Sequence, residues 1–147
     1  MTTFDDTTAN VTTGMAPIEV WRQDKFGADA SNPTIAGNGA DPDLDGIINL
    51  FEYGLNLNPH APDGMPNMPW TEMNGGDLSL LYRKNLDAAD LTYTIQGSPD
   101  MVSWNTVNVT SSIVTDDGET RVIRAMPTPR PAGSQYFLRL MINVVVQ

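Results

Sequence analysis

The residues best suited to chemistry gather in one stretch, Asp41-Pro42-Asp43-Leu44-Asp45-Gly46-Ile47-Ile48-Asn49-Leu50-Phe51-Glu52. Carboxylates stand at its first, third, fifth and twelfth places, an amide at the ninth and glycine at the sixth. Oxygens at alternate positions of a chain that reverses at glycine wrap around a hard cation, and calcium takes roughly six to eight of them. The spacing therefore predicts calcium held by Asp41, Asp43, Asp45, the carbonyl of Ile47, Asn49 and Glu52, with Gly46 at the turn. Glu52 follows Asn49 by about one helical turn, so it can return from a helix and bind through both oxygens. Without a cation between them, four carboxylates so close would repel one another strongly. Magnesium fits less well, because it demands near-octahedral geometry and keeps its waters. The competing reading, a solvated acidic turn with Asp45 as a helix N-cap, leaves most of the pattern unexplained. Ile48 is expected to turn its side chain into the core.

Bulk composition agrees with a cation as the natural counter-charge. The 147 residues carry 18 carboxylates against 8 basic side chains, a formal net charge of −10. Such a surface repels phosphate backbones and anionic lipid, so neither nucleic acid nor membrane insertion is expected. The absence of cysteine excludes disulfides and thiolate metal sites, and one histidine, His60, leaves little for zinc or for proton transfer near neutrality. Asp116, Asp117 and Glu119 fall at a hairpin turn, where charge usually serves solvation rather than glycoside chemistry. Gly75-Gly76 and Gly37-Asn38-Gly39 lack phosphate-loop spacing. No enzymatic activity is expected.

The elements that must position the loop follow from periodicity and punctuation. Residues 1–16 read as an extended, Thr-rich arm. Pro17–Phe26 reads as a helix with Pro17 at its first position, Ile18, Trp21 and Lys25 on one face, and Gly27 as its stop. A second helix is expected over about Ile47–Tyr53, with Gly54 ending it. The helical segment with its loop spans 17–60, and the Pro-rich residues 61–76 read as a surface linker. From 77 to 147 the period becomes two, with strands over Leu78–Arg83, Leu91–Gln96, Met101–Val107, Ser112–Thr115, Glu119–Ala125 and Gln135–Val146. Asp116-Asp117-Gly118 supplies a hairpin turn. The fold class expected is mainly β, a small antiparallel β-sandwich with an N-terminal arm and a short helix–calcium loop–helix insert.

Gly27, Asn32-Pro33 and Gly37-Asn38-Gly39 forbid a helix directly before Asp41, so the loop resembles the lone loops of dockerins and thrombospondin type 3 repeats rather than paired EF-hands. More widely, the order of motifs resembles a family of modules in secreted bacterial proteins. The matching residues are Trp21, Phe26-Gly27, the loop itself, Asn49-Leu50-Phe51-Glu52-Tyr53-Gly54-Leu55, Asn58-Pro59, Leu80-Leu81-Tyr82-Arg83, Leu91-Thr92-Tyr93-Thr94, Ser98-Pro99-Asp100, Trp104 and Tyr136-Phe137-Leu138-Arg139-Leu140. The resemblance implies a secreted, structural role without catalysis, placed outside the cell or on its surface. The N-terminus is not a signal peptide, and the calcium argument favours a leader removed before Met1.

Leu138, Leu140, Ile142, Val144 and Val146 form one apolar face on the last strand, which suits either a core strand or a strand covered by a neighbour. A strand-like arm could add to a neighbouring sheet, and head-to-tail contacts of that kind build filaments. The expected partners are copies of the chain itself, in a calcium-stabilised surface filament. The alternative is a carbohydrate-binding or adhesion module, with glycans stacked on Trp21, Trp70, Trp104, Tyr82 and Tyr93. Asn10-Val11-Thr12 and Asn108-Val109-Thr110 are glycosylation-type triplets of low specificity.

Overall fold

The structure, a computed structural model, describes residues 14–133 and 135–145. The arm expected at the N-terminus lies outside the described residues up to Thr13, and so does Val146 of the last strand.

Helix α1 spans Pro17–Phe26 and stops at Gly27, whose φ of +53° few other residues adopt. Ile18 and Phe26 are its buried residues, with Trp21 packed beside them. Lys25 is exposed, so the expected third member of the apolar face is replaced by Phe26 one residue on. Helix α2 spans Asn49–Leu55, two residues later than expected. Gly54 does not end it: the left-handed residue that does is Asn56, at φ +56°. Gly54 is instead a packing position, where a Cβ would lie 2.8 Å from Ile142 Cδ1 and 3.2 Å from Leu91 Cδ1.

Seven strands follow: β1 Trp70–Asn74, β2 Asp77–Asn85, β3 Leu91–Ser98, β4 Asn105–Thr106, β5 Val109–Asp116, β6 Thr120–Pro127 and β7 Phe137–Val144. They form two antiparallel sheets, ordered β1-β2-β6-β5 and β4-β3-β7, and the protein is a small β-sandwich. Leu80 and Tyr82 of β2, Ile123 and Ala125 of β6, Leu91 and Ile95 of β3, and Leu140 and Ile142 of β7 meet between the sheets. Much of the segment expected as a linker is structured, because residues 70–74 pair with β2 through a two-residue turn at Gly75-Gly76. Both glycines have positive φ, +61° and +90°, which suits a tight hairpin of the kind that matches strand twist. The strand expected at Met101–Val107 shrinks to two residues. Ahead of it Asp100 Oδ1 accepts the backbone N–H groups of Val102 and Ser103, which holds the chain in a turn.

α2 touches both β2 and β7, and its C-terminal carbonyls are satisfied by sandwich side chains. Asn85 Nδ2 donates to the Tyr53 carbonyl at 2.8 Å, the Tyr93 hydroxyl to that of Gly54 at 2.7 Å, and Arg83 Nε to that of Leu55 at 3.0 Å. Carbonyls at a helix end have no partner within the helix, and a cation there also complements the helix dipole. Asp90 ties both helices to the sandwich from one buried carboxylate, accepting from the Ile18 N–H at 3.0 Å and the Tyr53 hydroxyl at 2.7 Å.

Candidate metal centre

The acidic loop occupies residues 41–48, between the irregular segment 27–40 and α2. Its reversal is built from side chains accepting backbone N–H groups: Asp41 Oδ2 from Gly46 at 2.9 Å, Asp43 Oδ1 from Asp45 at 3.2 Å, and Asp45 Oδ1 from Ile47 at 2.8 Å. Gly46 at φ +92° permits the turn, and Leu44, 86% exposed, takes φ +60° at the tip. Asn49 brackets the loop from the helix side. Its amide nitrogen donates to the carbonyls of Ile35 and Gly37 at 2.8 and 2.9 Å, while its backbone N–H donates to Ala40. Ile47 is buried and Ile48 is 36% exposed, the reverse of the expected inward Ile48. The chain at Gly64 lies against the buried Ile47, where a Cβ would run into its side chain.

Two groups of carboxylates converge and share Asp45. Asp41, Asp43 and Asp45 each offer an oxygen within 4.8 Å of the others, and so do Asp45, Glu52 and Asp63. A cluster of acidic residues here could hold a metal ion. Asp63 is the member that sequence spacing missed. It lies eleven residues beyond Glu52, outside any twelve-residue loop, in a stretch whose prolines read as linker. Its one local signal is the Asp63-Gly64 pair, a common turn dipeptide.

The electrostatics sharpen the geometry. Glu52 has 0% exposure, and neither of its oxygens has a hydrogen-bond donor. Asp41 Oδ1, Asp43 Oδ2, Asn49 Oδ1 and Asp63 Oδ1 are likewise buried without a donor. All of these atoms only accept, so none can satisfy another by hydrogen bonding while the carboxylates are ionised. Burial, and then the charges of Asp45, Asp63, Asp43 and Asp41, push Glu52 up to about 8 from its ordinary 4.5. Burial and the neighbouring Asp45 and Asp41 raise Asp43 as well. Oxygen-only donors on a reversing loop fit a hard divalent cation such as calcium and give a soft metal no reason to bind. For the Ile47 backbone the structure places the N–H on Asp45.

Several of the aromatic residues weighed as a glycan platform are engaged in packing. Tyr82 lies in the core with Tyr93 stacked on it, Trp21 packs against Phe26 and Tyr53, and Arg139 lies over the Trp104 ring at 4.2 Å. Trp70 on β1 is 38% exposed. Asp116 and Asp117, at the β5–β6 hairpin, accept turn N–H groups, and Asp116 also pairs with Arg121. No helix among the described residues is long and apolar enough to cross a membrane. Comparison of the chain with protein-family models, with curated proteins and with solved structures found no match.

Proposed function

We propose that the chain is a calcium-stabilised structural module working outside the cell, in which the ion fastens the helical segment to the sandwich. The observation that carries this reading is Glu52, a fully buried carboxylate with no donor on either oxygen, facing Asp45 and Asp63. An isolated buried carboxylate is very unfavourable, and a bound divalent cation removes the penalty by supplying the missing charge. The ligands proposed are Asp41, Asp43, Asp45, the Ile47 carbonyl, Asn49 and Glu52. Glu52 sits on α2, whose far end is held by Arg83, Asn85 and Tyr93, so an ion at the loop is coupled mechanically to the sheets. A lone loop of this kind belongs where calcium is abundant, and its resemblance to secreted modules points the same way.

The module is further proposed to assemble with copies of itself. Among the described residues β7 pairs with β3 alone and β5 with β6 alone, so each eight-residue strand has one edge with no described partner for backbone hydrogen bonding. On β7 the apolar residues Leu140 and Ile142 point into the core, so any pairing there would use the backbone rather than that apolar face.

Calorimetric titration with calcium is expected to show binding, and thermal melts in millimolar calcium to lie above those in chelator. No heat and coincident melts would overturn the calcium reading. Light scattering with negative-stain imaging tests assembly separately. Filaments or large oligomers in calcium support it, and a monodisperse monomer refutes it while leaving the ion's stabilising role standing.

A further inference from the structure

We infer that Asp63 is a direct ligand of the same ion, so that the site is a cage closed by the segment 58–64 rather than an open loop. The inference rests on the calcium reading and deepens it. Three observations carry it. Asp63 offers an oxygen within 4.8 Å of ligand atoms of both Asp45 and Glu52, and Glu52 is a fully buried carboxylate without a donor. Asp63 Oδ1 is itself buried without a donor, while Oδ2 accepts the Asn58 N–H at 3.3 Å, which orients the carboxylate. The next residue is seated on the site as well: the Gly64 N–H donates to Asp45 Oδ2 at 2.9 Å, and a Cβ at Gly64 would lie 2.7 Å from that oxygen.

The segment is held in register at several further points. Asn58 Oδ1 accepts the His60 N–H at 3.1 Å, and Asn67 Nδ2 donates to the Asp63 carbonyl at 2.7 Å. His60 Nε2 lies 2.7 Å from the Lys25 carbonyl, and its ring packs edge-on to Phe26 at the end of α1. The ion thus joins the loop, α2 and the approach to β1, and through His60 it reaches the C-terminus of α1. Asp45 is common to both carboxylate groups, so an ion bound beside it would have both sets as neighbours.

The test is europium luminescence, in which lifetimes in H2O and D2O count the waters on the bound ion. The wild-type chain is expected to bind one ion, and Asp63→Ala, which leaves no side-chain oxygen, to bind at least tenfold more weakly with about one more coordinated water. A remote electrostatic role would weaken binding without changing the water count, and that result overturns the proposal, as does unchanged affinity or a stoichiometry of two. Wild-type protein that binds neither europium nor calcium removes the calcium reading itself. Should Asp63→Ala fail to fold, hydrogen exchange on the wild-type chain decides. Calcium is expected to slow exchange of the Gly64 and Asn67 amides at least tenfold, and unchanged protection there refutes ligation by Asp63.

Discussion

Replacing Glu52 with glutamine should stabilise the chelated protein and cut the stability that calcium adds. In chelator at pH 7 the wild-type fold carries a fully buried carboxylate whose titration is pushed up to about 8. Holding it protonated, when the unfolded chain ionises at its ordinary 4.5, costs about 3 kcal/mol, at about 1.36 kcal/mol for each of the 2.5 intervening pH units. Glutamine has nearly the same shape, carries no charge and brings an amide that can donate to Asp45 or Asp63. Glu52→Gln should therefore raise the chelated protein's melting temperature by about 6–12 °C, at roughly 2–4 °C per kcal/mol for a chain of this size. In calcium the same change removes a charged ligand, and a 100-fold loss of affinity would forfeit up to about 2.7 kcal/mol of ligand-linked stability, the full amount where calcium far exceeds the dissociation constant. The assay is differential scanning calorimetry of both proteins at pH 7, in chelator and in millimolar calcium. If the variant melts no higher than wild type in chelator, or gains as much from calcium as wild type does, the reasoning is wrong.

The same carboxylate fixes a pH dependence. Because the folded-state value of Glu52 is raised, metal-free stability from this group is full below 4.5 and falls as pH rises to about 8, whereas saturating calcium should flatten or reverse that slope; urea melts at pH 5 and pH 8 check both. Asp90→Ala should destabilise by about 3 kcal/mol, since it strands the buried Ile18 N–H and Tyr53 hydroxyl, and urea unfolding should show it with calcium present or absent. Leu44→Asn should stabilise by about 0.5–1 kcal/mol, because the exposed leucine at φ +60° is strained where asparagine is tolerated, and thermal melting measures the gain.

The local features of this chain were legible from its residues. Pro17 and Gly27 bracket α1, the period of two marks β2, β3, β6 and β7, and carboxylates alternating around Gly46 mark the acidic loop. Each depends on neighbours within a few positions, where backbone geometry links sequence spacing directly to side-chain direction. Tertiary structure decided the rest. Asp63 joins Glu52 only because the chain after α2 folds back over the loop. Gly54 reads locally as a stop, yet it is kept small by Ile142, and the helix runs on to Asn56. Trp70–Asn74 has linker-like flanks and becomes a strand because β2 offers it an edge. Asp90 reads as one more loop carboxylate, and its role depends on Ile18, 72 residues away. Contacts at that separation leave no period in the sequence, because what selects them is closure of the whole chain around a shared core.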